Sequence, residues 1–267
     1  MKRLVIFLLP MLVLLAGCTG MGGSGSGVII KSTSILPDGD VEPGMALSLN
    51  TVIQNGGVGT AKNVRVEIVG LTDEWLASPG RTQNVGDMFA ADPSRNSPGS
   101  ETSVDWTLTA PGKSNDITYT GYVRLTYNYE TTLDAQIQAV SMEEYKQNPQ
   151  NKGGVASQSV TSGPISISVT APNAIISGGT GRVPIYFSIQ NIGSGKVRND
   201  KLALTVTGAT CSRTDVTLIE GKSASVSCSI NIAGVNNLKN FPISVRTTYE
   251  YRIESPFSIT VLKTPEI

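Results

Sequence analysis

Val123-Arg124-Leu125-Thr126-Tyr127-Asn128-Tyr129 returns 122 positions later as Val245-Arg246-Thr247-Thr248-Tyr249-Glu250-Tyr251. Both copies place Val, Tyr and Tyr on one parity, the period-2 signature of a strand with one buried face. A second pair of matches lies upstream. Gln54-Asn55-Gly56-Gly57-Val58-Gly59 corresponds to Gln190-Asn191-Ile192-Gly193-Ser194-Gly195, and a glycine follows the third strand of each copy, Gly70 and Gly208. Three matches in one order read as two tandem copies of one module.

Around these anchors the chain alternates between β-rich runs and Gly/Pro/Asn/Asp turns. In the first copy, Met45/Leu47/Leu49/Ile53, Val64/Val66/Ile68 and Val104/Trp106/Leu108 give inward faces after a first strand from Val28 to Leu36. In the second, Ile165/Ile167/Val169, Val183/Ile185/Phe187/Ile189, Leu202/Leu204/Val206 and Val226/Cys228/Ile230/Ile232 do the same, with Phe257 to Leu262 as a last strand. The expected fold is all-β: two tandem immunoglobulin-like antiparallel sandwiches. The first spans 28–140 and the second 164–263, joined by a linker over 141–163. Ser141-Met142-Glu143-Glu144 has capping-box form and allows a short helix to about Gln147.

The repeat serves as a ruler. Trp106 lies 17 positions before Val123, and Cys228 lies 17 before Val245, so the two share one place in the module. Trp75 and Trp106 are expected to plug the place that Cys211 and Cys228 staple with a disulfide. Gly70 to Val104 is 34 positions against 18 from Gly208 to Val226, so the first copy carries an insertion within 78–100. That segment is rich in Pro, Gly, Ser and Asn, and Met88-Phe89 is expected to form its exposed apolar tip. It reads either as a binding loop or as a tolerated surface insertion.

The N-terminus decides location. Lys2-Arg3, an apolar run from Leu4 to Leu15 and small residues at a cut have the layout of a secretory signal over 1–17. Leu15-Ala16-Gly17-Cys18 resembles the lipobox of prokaryotic lipoproteins. The resemblance implies that Cys18 is lipidated and holds the chain on the extracytoplasmic face of the membrane. Residues 18–27 then form a Gly/Ser tether, with a mean reach on the order of 15–18 Å. Once Cys18 is set aside, Cys211 and Cys228 are an even pair in an oxidising compartment.

Other classes are disfavoured by composition. The chain has 21 basic and 21 acidic residues and no histidine, which removes His-based triads and His-ligated metals. This charge balance gives no electrostatic reason for nucleic acid. No nucleophile stands beside a base, and no cofactor or metal site is expected. Asp38, Asp40 and Glu42 read as a solvated turn rather than a Ca²⁺ loop. Arg124 and Arg246 lie on the outward parity and read as cover for the sheet face rather than as an anion site.

The strand, Gln-Asn-x-Gly-x-Gly turn and Val/Leu-rich strand resemble the CARDB-type and S-layer-associated immunoglobulin-like modules of archaeal and bacterial surface proteins, with an archaeal source fitting the style. The resemblance implies a non-enzymatic role in adhesion, scaffolding or an envelope complex, with a protein partner. A carbohydrate-binding accessory protein is the alternative, with Trp75 or the paired tyrosines exposed as stacking platforms. A purely structural spacer is a third reading.

Overall fold

The computed structural model describes residues 27–95, 97–178 and 181–264. The signal at 1–17, Cys18 and the tether up to Ser26 lie outside them. In chain order the strands are β1 (Val28–Leu36), β2 (Ala46–Asn55), β3 (Ala61–Val69), β4 (Leu76–Ser78), β5 (Thr82–Met88), β6 (Glu101–Thr109), β7 (Ile117–Ser141), β8 (Gly154–Val160) and β9 (Ile165–Thr170). Then come β10 (Ile176–Ser177), β11 (Arg182–Asn191), β12 (Lys196–Val197), β13 (Lys201–Thr207), β14 (Thr210–Cys211), β15 (Asp215–Thr217), β16 (Ser223–Asn231) and β17 (Leu238–Val261). The expected short helix is α1 (Met142–Gln147), where the Ser141 hydroxyl accepts from the Glu144 amide at 3.1 Å.

The all-β, antiparallel sandwich character expected from the alternation is what the chain adopts. Two four-stranded sheets, β1-β2-β6-β4 and β14-β16-β11-β9, accompany a nine-stranded sheet that runs β15-β13-β17-β7-β3-β5, with β8, β10 and β12 attached. On β7 the odd-numbered residues from Tyr119 to Ala139 are buried along the whole strand, so the cover lies on a single face. One continuous core cluster takes in Leu125, Tyr127, Tyr249 and Val245 together with the inner residues of both smaller sheets.

The large sheet departs from the expected layout. β7 and β17 pair with each other without interruption from Ile117↔Val261 to Val140↔Leu238. Matching residues of the two copies are 122 apart, and Asn128 pairs with its own counterpart Glu250. The seam therefore has a pseudo-twofold centre there. The first half of β7 flanks β3, and its other neighbour is the C-terminal half of β17; the first half of β17 flanks β13, and its other neighbour is the C-terminal half of β7. Each module takes its last strand from the other. Residues 154–160 of the expected linker are also strand, with β8 pairing on β7 from Leu133 to Gln138.

Side-chain volumes follow the exchange. Gly121 faces Phe257, and a Cβ on Gly121 would come within 2.4 Å of that ring. At the matching pair Ile243 faces Ala135. A large residue meets a small one in both halves, with the large one on β17 each time.

Candidate interaction surface

The repeated motifs form one device, built twice. Asn55 is buried where β2 ends; its Nδ2 donates to the Gly59 and Met88 carbonyls, each at 2.9 Å, and its Oδ1 accepts from the Gly57 amide at 3.0 Å. Asn191 repeats this at the end of β11, donating to the Gly195 and Gly221 carbonyls at 2.9 and 3.0 Å and accepting from the Gly193 amide at 3.2 Å. The last glycine of each turn then donates to a tyrosine hydroxyl of the seam: Gly59 to Tyr129 at 2.8 Å and Gly195 to Tyr251 at 2.9 Å. The side-chain amide holds the turn, and the tyrosine ties the turn to the central sheet.

Tyr127, Tyr129, Tyr249 and Tyr251 close a ring of aromatic contacts around the pseudo-twofold centre, with centroids 5.8–6.4 Å apart. All four are buried, and burial pushes their phenol pKa values above the ordinary tyrosine value, most strongly for Tyr127 and Tyr249. Trp75 and Trp106 are buried as well, with Trp75 edge-on to Tyr119 at 5.4 Å. The platforms on which the carbohydrate reading rested are therefore inside the core.

The disulfide joins Cys211 to Cys228 across neighbouring strands β14 and β16. Trp106 pairs with Leu49, six residues before Asn55, and Cys228 pairs with Ile185, six before Asn191, so these two do share a place. Trp75 is not the counterpart of Cys211. Ser78 pairs with Thr107 as Thr210 pairs with Ser229, so Pro79 holds the place of Cys211. What replaces the disulfide in the first copy is the Trp106 indole N–H donating to the Gly80 carbonyl at 3.0 Å.

The expected loop over 78–100 contains a strand, β5. β5 pairs with β3 and forms an edge of the large sheet, where the second copy has only the three residues of β15. Met88 pairs with Ala61 and is 1% exposed, so it is a core residue and not part of an exposed tip. The arm proper starts at Phe89, which is 67% exposed. Its backbone is fixed: the Phe89 amide donates to the Ser100 hydroxyl at 2.9 Å, and the Ser100 amide donates to the Phe89 carbonyl at 3.0 Å. Beyond it, the Asp92 and Ser97 backbones bond reciprocally at 2.9 and 3.0 Å. Phe89 is thus an exposed aromatic on an ordered frame, unlike Asp38, Asp40 and Glu42, which lie exposed without forming a metal cluster among the described residues.

The outer face of the large sheet carries a charge ladder. Arg124 reaches Glu254 at 2.7 Å and Glu67 at 3.0 Å. Partial burial opposes its charge, and the two carboxylates outweigh that, raising its pKa above the ordinary arginine value. Arg246 has threonines at the matching cross-strand positions, Thr205 and Thr132, and turns to Glu130 at 3.6 Å. Arg124 and Arg246 are thus paired with carboxylates and do not form a shared anion site.

No family model matches the chain, and no curated protein matches it. Among solved structures, the chain is similar to the D0-D1 domain of Intimin, with 11% identity over 88% of this chain and 99% of that one, at a TM-score of 0.23. A protein of unknown function from Porphyromonas gingivalis W83 gives 11% identity over 89% and 100%, with a TM-score of 0.22. The C-terminal domain of the Streptococcus agalactiae AgI/II polypeptide BspA gives 9% over 84% and 95%, with a TM-score of 0.16. These superpositions are too loose to assign a family, and the fold class rests on the sheets themselves.

Proposed function

We propose that the chain is a non-enzymatic surface lipoprotein that works as a scaffold or adhesion subunit of the cell envelope. The lipobox-like Leu15-Ala16-Gly17-Cys18 supports attachment to the extracytoplasmic face of the membrane. The observation that carries the scaffold reading is the uninterrupted β7–β17 ladder. Two modules on a loose linker would sample many relative orientations. Two modules that exchange their last strands along one seam hold a fixed orientation, and surfaces on both are presented as one rigid body. Phe89, exposed on its anchored arm, is the contact we assign to a protein partner.

The test is chemical cross-linking of the full chain in its native envelope, followed by identification of the products, beside the Phe89→Ser and Cys18→Ser variants. The expected result is a discrete set of envelope partners, weakened by Phe89→Ser, and release of Cys18→Ser from the membrane fraction. Recovery of no envelope partner by the unaltered chain refutes the scaffold reading. A Cys18→Ser chain that stays in the membrane refutes the lipid anchor.

A further inference from the structure

The pseudo-twofold relation makes each half a template for the other, and among the described residues β8 has no counterpart. In the second half, β8 lies along the outer flank of β7 from Leu133 to Gln138, and the Thr161 amide continues it to the Thr132 carbonyl at 2.9 Å. The matching stretch of β17, 122 positions on, is 255–260. Its outer flank carries β12 at Tyr251 and Arg252 and a single bridge to Val41 at the far end, where the Val41 amide donates to the Thr260 carbonyl at 2.9 Å. Between these, no strand among the described residues pairs with it. A groove of about 500 Å³ stands there between β1 and β17, lined by Thr33, Ile35, Leu36, Pro256, Ser258 and Ile259.

A residue lining the groove also carries an unanswered polar group. In the second half the Gln158 side chain on β8 accepts from the Val169 amide at 3.0 Å. Val169 pairs with Phe187, four residues before Asn191, and Thr33 pairs with Thr51, four before Asn55, so Thr33 occupies the matching place. Its hydroxyl is buried without a hydrogen-bond partner.

We propose that the flank of β17 from Glu254 to Ser258 is an acceptor site for a β-strand donated by another polypeptide. Val41 meets the Thr260 carbonyl and the Leu262 amide, so even-numbered residues of β17 turn their backbone groups to this flank. The site then offers the amides of Glu254 and Ser258 and the carbonyls of residues 254, 256 and 258, the main-chain pattern that strand addition uses. The chain's own residues in the place of β8 would be 17–23, since Val28 pairs with Asn55 as Ile165 pairs with Asn191; Gly17 belongs to the expected signal. The remaining six, 18–23, include three glycines and one β-branched residue, against one glycine and two valines in β8. Glycine loses the most backbone freedom on joining a strand and packs nothing there. The donor therefore comes from outside, and its chemistry is that of β8: small and β-branched residues, with a Gln or Asn facing Thr33. The site deepens the scaffold reading and rests on it only for the source of the donor.

The probe is a synthetic peptide with the sequence of residues 152–161, added to the full chain in detergent while amide exchange is followed residue by residue. Expected is a slowing of roughly tenfold at Glu254 and Ser258, the scale of gaining a protected backbone bond, with Ser255 and Phe257 unchanged because they face β7. A peptide N-methylated on alternate amides should give none of this, and the Ser258→Pro chain should show a weaker slowing at Glu254, since proline is tolerated on an open edge but removes one of the two donors. No slowing with the unmodified peptide overturns the proposal. So does slow exchange at Glu254 and Ser258 without peptide that becomes fast on deleting residues 19–26, which assigns the slot to the chain's own tether. Peptide binding alongside failed envelope cross-linking would keep the site and discard the scaffold reading.

Discussion

The two asparagine latches allow burial to be weighed against bond count. Asn55→Ala removes three hydrogen bonds, two of them buried at both ends. The Gly57 amide and the Met88 carbonyl lose their side-chain partner at a site with no solvent access. Taking about 1 kcal/mol for each net bond, plus a penalty of roughly 1–3 kcal/mol for stranded groups, the loss is about 4 kcal/mol. Asn191→Ala removes more bonds: the same three, and one from the Tyr251 hydroxyl at 2.8 Å. Asn191 is only half-buried, and none of its bonds is buried at both ends. Water can enter and satisfy the freed partners, so the loss is about 2 kcal/mol. The assay is urea unfolding of both variants followed by tryptophan fluorescence, with midpoints compared at unchanged slope. If Asn191→Ala costs as much as Asn55→Ala or more, bond count governs and the burial argument fails.

Three further outcomes follow from the seam and its neighbours. Both tryptophans lie in the first half and the disulfide in the second, so reducing Cys211–Cys228 tests coupling across β7–β17. Reduction should remove about 3 kcal/mol on the chain-entropy scale for this loop, and the tryptophan transition should move with the far-UV transition; a fluorescence midpoint unaffected by reduction would show the halves unfolding separately. Alkaline stability should be set by the tyrosine ring. Burial raises these phenol pKa values in the fold, so their contribution is complete below the unfolded value of about 10 and is lost as pH rises above it. Between the unfolded and folded values the limiting slope is roughly 1.4 kcal/mol per pH unit per tyrosine, and a flat stability profile between pH 10 and 11 would contradict that. Thr247 is buried with no partner for its hydroxyl; Thr247→Val should raise stability by about 1 kcal/mol in the same urea assay, and a loss would reveal a bond to that oxygen.

The parity of the strands and the order of the copies were legible because burial on one face imposes period 2 and the latch requires the same residues twice. Asn55 with Gly59, and Asn191 with Gly195, recur because the side-chain amide and the close approach of each glycine to a tyrosine hydroxyl are both needed. The exchange of last strands was not legible. Thr131 to Ala139 alternates as any last strand would, and alternation says which face is buried, not which strand lies alongside. Ser255-Pro256 reads as a break in β17, yet Pro256 sits within it because its missing N–H falls on the open flank. Met88 was misread for a related reason. Thr82 to Asp87 is a polar edge strand with Gly86 in a left-handed conformation, and such a strand carries little periodic signal to mark Met88 as its anchor.

The seam also sets a schedule for the chain. Ile117 finds its partner in Val261, 144 positions later. A polypeptide made from its N-terminus can build β1 to β6 early, but β7 keeps a bare edge until Val261 has been added. The N-terminal half is thus the first made and is finished only with Val261, and losing residues 250–261 would unmake it before touching the module that those residues follow.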